Sequence, residues 1–217
     1  MQGRTHRVGG VLCAVAGYVI LDSKGLLLKD VNPLIQLAVM YPFAIYGSVV
    51  PDLDHHWESS PAKDPISWGV NRVLHLTTNN PITNRSKLMK LFDAKHRSWQ
   101  THSEVFLLLL IFLNWLVISR GSGTDGIILR LMLSGFILGV ISHLILDILT
   151  PEGVWGIIPS VIRKRKVMIS VVPKSSFFAT GGPWEKLVRI VMWVVTSLLL
   201  MYIAYSMCPY ELKFNFY

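Results

Sequence analysis

Five apolar segments decide what this chain can fold into. They run from Val8 to Leu21 (with flanks reaching Leu28), Pro33 to Val50, Val105 to Ser119, Ile127 to Leu149 and Leu187 to Met207. Crossing a bilayer as a helix takes about 17–25 mostly apolar residues, because the hydrocarbon offers no water to satisfy a backbone group left unpaired. The fourth and fifth segments meet that length outright. The second and third sit at its lower edge, and the first needs its flanks. The expected fold is all-α: a polytopic transmembrane helical bundle of about five apolar helices, one domain over residues 1–217. Arg4 and Arg7 ahead of the first apolar run have the form of a signal-peptide start, but no small-x-small cleavage site follows, so the segment is read as a retained helix.

The charge balance agrees with a membrane reading and orients it. Only 16% of residues are charged, against 52% hydrophobic; a soluble domain carries about 25% charged residues. The formal net charge is nevertheless +8. Five crossings put the N-terminus, the 51–104 loop and the 151–186 loop on one side, which then holds 15 of the 21 Lys and Arg residues. Lys24, Lys29, Arg120 and Lys213 lie opposite, and Arg130 and Arg189 sit near span ends. Cytoplasmic loops are enriched in Lys and Arg, so the rich side is expected to be cytoplasmic and the protein integral to the cell membrane. The basic charge then requires no nucleic-acid partner. The Arg163–Lys166 cluster suits anionic headgroups. In the 51–104 loop, Ile66, Val70, Val73 and Leu74 recur at helical spacing, which predicts a short helix on the membrane surface within a loop region capping the site. Cys13 and Cys208 are far apart in sequence and in or beside apolar stretches, which argues against a disulfide framework and against a cysteine zinc site. Any metal must be held by His and carboxylate.

In this topology all seven histidines fall on the cytoplasmic side or at its boundary. His143 and Asp147 are four apart and share a face of the fourth span. Ionisable groups at membrane depth are costly and usually functional, although a His–Asp pair can also serve as helix glue. The stripe extends back through Gly139 and Gly135, small residues that let another helix approach. A matching stripe in the first span runs His6, Gly9 or Gly10, Cys13, Gly17; packing of the two stripes would bring His6 to the His143/Asp147 pair. The second span exits through Pro51-Asp52-Leu53-Asp54-His55-His56. In an extended segment Asp52 and Asp54 would point the same way. Acids there oppose the helix macrodipole, so another use is indicated. The third span is entered through His96-Arg97-Ser98-Trp99-Gln100-Thr101-His102-Ser103-Glu104, where Thr101 and Glu104 have capping-box spacing and place His102 in the first turn. Thr180-Gly181-Gly182-Pro183-Trp184-Glu185 opens the fifth span with a further carboxylate.

Zinc and related ions take His nitrogen and Asp oxygen, and catalytic sites leave a position for water. The donors exceed what one ion needs, so one or two divalent ions are expected, zinc first, with manganese or iron as alternatives. Two-metal sites are typical of phosphoester hydrolysis. Glu185 is the candidate to move a proton.

These residues, as an ordered set, resemble the YdjM-like family of inner-membrane, metal-dependent hydrolases. The set is His6 with Gly9-Gly10, Pro51-Asp52-Leu53-Asp54, His96-Arg97 with Thr101-His102-Ser103, Ser142-His143 with Asp147, Thr150-Pro151 with Gly153, and Thr180-Gly181 with Glu185. Ser98 departs from the glycine expected after His-Arg. The resemblance implies a helical membrane hydrolase with His6, Asp52, Asp54, His96, His102, His143 and Asp147 as metal ligands, and Asp54 and Glu185 as catalytic candidates. The leading expectation is a metal-dependent hydrolase at the cytoplasmic face, acting on a small-molecule or lipid-linked phosphoester. The alternatives are a non-catalytic metal-binding membrane protein and a metal-independent lipid phosphatase. Against the last, Pro-Ser-Gly-His and an upstream Ser-Arg pair are absent; a His-Glu-x-x-His protease motif is absent too.

Overall fold

A computed structural model describes residues 3–25, 31–54, 101–120, 124–163, 167–175, 177 and 179–207, with 65, 68, 69 and 72. Of the surface helix expected around Ile66–Leu74 only residues 68, 69 and 72 are described, each helical; Ile66, Val70, Val73 and Leu74, with His55, His56, His75, His96 and most of the Arg163–Lys166 cluster, lie outside the described residues. All five apolar segments are helices: α1 Gly3–Ser23, α2 Pro33–Gly47, α3 Glu104–Arg120, α4 Thr124–Ile148 and α6 Pro183–Met207. Between the last two lie α5 Ile157–Arg163 and a small hairpin, β1 Val154–Trp155 paired antiparallel with β2 Met168–Ile169. The bundle is all-α apart from that hairpin.

Helix starts follow local chemistry. Proline stands first in α2 and in α6, where its missing N–H costs nothing and its φ is already helical. Asn32 caps α2 by accepting from the Leu34 N–H at 2.9 Å. Residues Pro33–Leu53, Gly126–Ile148 and Pro183–Met207 are each long and apolar enough to cross a membrane, among the described residues, and the third segment, Glu104–Ser119, is a shorter apolar helix. The second span gains its length by running on past α2 into a 3-10 helix, Val50–Asp54.

α1, α2 and α4 pack against one another at the centre, α6 lies against α1, and α3 lies against α4. Close backbone approach holds the central trio. A Cβ on Gly139 would lie 2.1 Å from the Ala44 carbonyl oxygen, and one on Gly135 2.3 Å from that of Met40. From the other side, a Cβ on Gly47 would meet the Phe136 carbonyl at 2.2 Å. The small stripe of α4 therefore packs on α2, not on the stripe of α1 as the spacing suggested. Gly9 and Gly17 of α1 instead receive Leu146 and Leu138 of α4, while Gly10 faces the Ala44 carbonyl of α2. The reason is that helices approach closest where a small residue meets backbone, and two glycine stripes face to face would leave a void.

The outside of the bundle is apolar. Leu108, Leu109, Ile111, Phe112 and Trp115 of α3, and Ile190, Val194, Leu198 and Met201 of α6, are exposed. A soluble monomer rarely carries so large a contiguous apolar surface; a lipid-facing bundle requires it. Apart from Gln36 near the start of α2 and Thr196 within α6, the buried polar residues among those described gather at one end, where α1, α3 and α6 begin and α2 and α4 finish, the arrangement that alternating antiparallel spans produce.

Candidate metal centre

Five side chains from four pieces of chain meet at that end. His6 comes from the first turns of α1, Asp52 from the 3-10 helix after α2, His102 from the segment before α3, and His143 and Asp147 from the last turns of α4. His6, His102 and His143 have no solvent exposure and Asp147 has 1%; the Asp52 side chain, at 13%, is the most open. His143 Nε2 lies 3.4 Å from Asp147 Oδ2 and 3.6 Å from Asp52 Oδ1. His102 Nε2 lies 3.6 Å from each of those oxygens and 3.2 Å from His143 Nε2. His6 Nε2 is 3.5 Å from Asp147 Oδ1 and 4.0 Å from Asp52 Oδ2, and its ring stacks on His143 with centroids 3.8 Å apart.

The hydrogen bonds behind the rings set which nitrogen faces the centre. His143 Nδ1 is 2.7 Å from the Ser48 carbonyl oxygen. A carbonyl only accepts, so Nδ1 carries the proton and, in the neutral ring, Nε2 presents its lone pair inward. This is the outer hydrogen bond that metal-ligating histidines ordinarily make. His102 Nδ1 is likewise engaged, 3.0 Å from the Thr101 hydroxyl.

The donor set fits a divalent cation. A tetrahedral shell with bonds of about 2.0–2.1 Å spaces its donor atoms about 3.3–3.4 Å apart. The nitrogen–oxygen and nitrogen–nitrogen distances around His102 and His143 fall close to that value. Both ring nitrogens of His6 are buried without a hydrogen bond, a cost of about 1–3 kcal/mol for each group left unsatisfied. The His143 lone pair and four carboxylate oxygens converge here with two further imidazole nitrogens, and a cation is what such a donor set accommodates. Two overlapping groups, His6/Asp52/His143 and His102/His143/Asp147, could each hold an ion.

The rest of the fold holds these side chains in place. At the end of α4 the Thr150 hydroxyl donates to the Asp147 carbonyl at 2.7 Å, and Val171 N–H donates to the Ile148 carbonyl at 3.1 Å. Helix-end carbonyls that would otherwise be orphaned are thereby satisfied beside the ligand. Gly153 turns the chain into β1 with φ of 65°, and a Cβ there would lie 2.2 Å from the Ile169 carbonyl. The backbone N–H of the fully buried Trp155 then donates to the His102 carbonyl at 3.0 Å. Glu104 Oε1 accepts from Ile158 N–H at 2.7 Å, so the hairpin holds His102 and the start of α5 holds the residue two beyond it.

Three expectations change. The helix cap of α3 is Ser103, whose hydroxyl accepts from Phe106 N–H at 3.5 Å; His102 therefore precedes the first turn, and Glu104 turns to Ile158 instead of back to Thr101. Val50–Asp54 is a 3-10 helix, not an extended strand. At three residues per turn, alternation does not put Asp52 and Asp54 on one face; the Asp54 side chain itself lies outside the described residues. Glu185 is buried in α6, accepting from the Thr5 hydroxyl with one oxygen and from Gly181 N–H at 2.6 Å with the other. It thus ties the start of α6 to the residue preceding His6. The positioning groups that the sequence did not reveal are the Ser48 carbonyl and Trp155. Both act through the backbone, the Ser48 carbonyl and the Trp155 N–H, and backbone groups leave no trace in residue type.

Among known proteins, residues 1–213 match the family described as YdjM inner membrane protein. No curated protein and no solved structure matches the chain.

Proposed function

The chain belongs to the YdjM inner membrane protein family, and on that premise we propose that it is a metal-dependent hydrolase working at the cytoplasmic face of the membrane on a phosphoester, with a lipid-linked one favoured. The observation that carries this reading is the convergence of His6, Asp52, His102, His143 and Asp147 with His143 Nε2 turned inward by the Ser48 carbonyl. Zinc is the first candidate ion, manganese and iron the next, since imidazole and carboxylate suit all three. A divalent ion in this cluster would make water more acidic and offset charge developing on a phosphoryl oxygen.

The chain's own groups supply the remainder. Asp52 is the most open of the five, so the approach to the centre is on its side. A cavity of about 590 Å³ lined by Pro151, Glu152, Met168, Lys174, Ser175 and Ala179 opens just beyond the end of α4. Lys174 there offers a cation to a phosphate, and Glu152 is a carboxylate able to exchange a proton. Exposed Ile158 and Ile162 on α5, next to Arg163, suit a headgroup-level surface that a lipid substrate would reach from the bilayer. The orientation follows from the excess of Lys and Arg on that side.

The near-complete burial of four of the five donors favours a second reading, a structural ion with no turnover. One experiment separates them. The detergent-purified protein is analysed for metal beside a His143→Ala/Asp147→Ala double variant, then assayed against a panel of phosphomonoesters and lipid phosphates. Metal in the wild type alone, with turnover that chelation abolishes, is the expected result. Metal without turnover leaves the structural reading, and turnover indifferent to chelation returns the metal-independent phosphatase.

A further inference from the structure

The two carboxylates are each split in the same sense. Asp147 turns Oδ1 toward His6 (3.5 Å) and Oδ2 toward His143 and His102 (3.4 and 3.6 Å). Asp52 turns Oδ2 toward His6 (4.0 Å) and Oδ1 toward His102 and His143 (3.6 Å each). Neither acid places both oxygens on one histidine group. Two acids from unrelated elements, one in a 3-10 helix and one in α4, adopt the same division.

We propose that Asp52 and Asp147 are bridging ligands that divide the centre into two unequal cation subsites. The proposal rests on the metal reading above and deepens it. One subsite has four donors: His102 Nε2, His143 Nε2, Asp52 Oδ1 and Asp147 Oδ2. Four donors complete a tetrahedral shell, the mark of an ion held for structure. The other has three: His6 Nε2, Asp52 Oδ2 and Asp147 Oδ1. Three protein donors leave a coordination position for water or substrate. The subsites also differ in construction. Both histidines of the first are locked from behind, by the Ser48 carbonyl and the Thr101 hydroxyl. His6 has no hydrogen bond on either nitrogen, and ligands without such outer support bind metal about 10–100-fold more weakly. His143 could be grouped with His6, on whose ring it stacks, but its Nε2 lies 3.2 Å from that of His102, which assigns it to the four-donor side. The His6 subsite is accordingly the weaker, exchangeable and substrate-facing one, and the His102/His143 subsite is the tight one.

The test is metal binding by the full-length protein in detergent, read without any substrate. Chelator-stripped wild type is titrated with manganese and with zinc, and bound metal per chain is measured alongside the manganese electron paramagnetic resonance spectrum. Two equivalents in two affinity classes at least about tenfold apart, with an exchange-coupled manganese pair at saturation, is the expected result. His6→Ala should retain the tight equivalent, lose the weak one and abolish the coupled signal; His143→Ala should lose the tight class. A single equivalent in the wild type with an uncoupled spectrum would overturn the division while leaving a mononuclear metal protein. No bound metal at all would overturn the metal reading itself. If His6→Ala does not fold, the wild-type stoichiometry and spectrum decide the question alone.

Discussion

α4 and α6 are the same length, 25 residues, and both are apolar enough to cross a bilayer. Yet 56% of the most apolar stretch of α4 is buried in protein, against 17% of that of α6. Apolarity is not what separates them. α4 carries Gly135, Gly139, Ser142, His143 and Asp147 down one side, and that side meets α2, α1 and the rest of the His/Asp cluster. α6 carries Met192, Thr196 and Ile203 as its buried contacts in the span, and exposes Leu, Ile, Val and Met along most of its length, with Trp193, Tyr202 and Tyr205. In hydrocarbon, lipid tails are as good a neighbour as leucine, so side-chain apolarity cannot sort helices toward the centre. Backbone approach and polar partners do.

The largest effect that would break this contrast lies at Gly139. Its Cβ position is 2.1 Å from a backbone oxygen of α2, which cannot rotate away. Gly139→Ala should cost about 3 kcal/mol, the upper range for overpacking, and abolish both monodisperse purification and metal binding. An alanine variant as stable as wild type in a detergent melt would mean that α2 and α4 are not packed backbone to backbone.

The next effect lies on the other helix. Val194, mid-way along α6, is 53% exposed, and exposure there means lipid. Val194→Lys should raise the free energy of insertion by about 2.5–3.5 kcal/mol, seen as a lower integrated fraction in a membrane-insertion assay. On a water-facing surface the same change would be neutral. Normal integration of Val194→Lys would reassign this face to a protein partner or a water-filled path.

Metal removal addresses the polar end of α4 alone. An ion present at about a hundred times its dissociation constant stabilises the folded state by about 2.7 kcal/mol, so chelation should lower the melting temperature of the wild type and not that of His143→Ala/Asp147→Ala. The imidazoles must be neutral to bind. Protons therefore compete with the ion for these nitrogens, and bound metal should decline as pH falls. Equal melting with and without chelator across pH 5–8 would leave the cluster as helix glue.

The helices and the site differ in how far they could be read from residues. Five apolar runs announced five helices because backbone satisfaction in lipid leaves no other choice. His6, Asp52, His102, His143 and Asp147 stood out because buried ionisable groups near a membrane are rare and need partners. What sequence spacing misjudged depended on local backbone. The 3-10 form of Val50–Asp54 removed the alternation argument for Asp54, and the Ser103 cap moved His102 out of α3. The hairpin that grips His102 has strands of two residues each, too short to show a period. The partner of each glycine stripe was invisible as well, since a stripe reports that something approaches and not what.

The smallest predicted effect exposes how differently the two inner histidines are held. His143 is oriented by a main-chain carbonyl, which no side-chain substitution removes. His102 is oriented by the Thr101 hydroxyl, which can be deleted at nearly constant shape. Thr101→Val keeps the β-branched volume and takes away the bond to His102 Nδ1. The expected loss is about tenfold in affinity for the tight ion, the lower end for an outer hydrogen bond, or about 1.4 kcal/mol, with the second ion and the fold retained. Thr101→Ser should restore the affinity, because it returns the hydroxyl alone. Were Thr101→Val to bind metal as tightly as wild type, the orientation of His102 would have to come from the hairpin, through the Trp155 N–H on its carbonyl, and the hairpin rather than the side chain would be the part of the structure that builds the four-donor subsite.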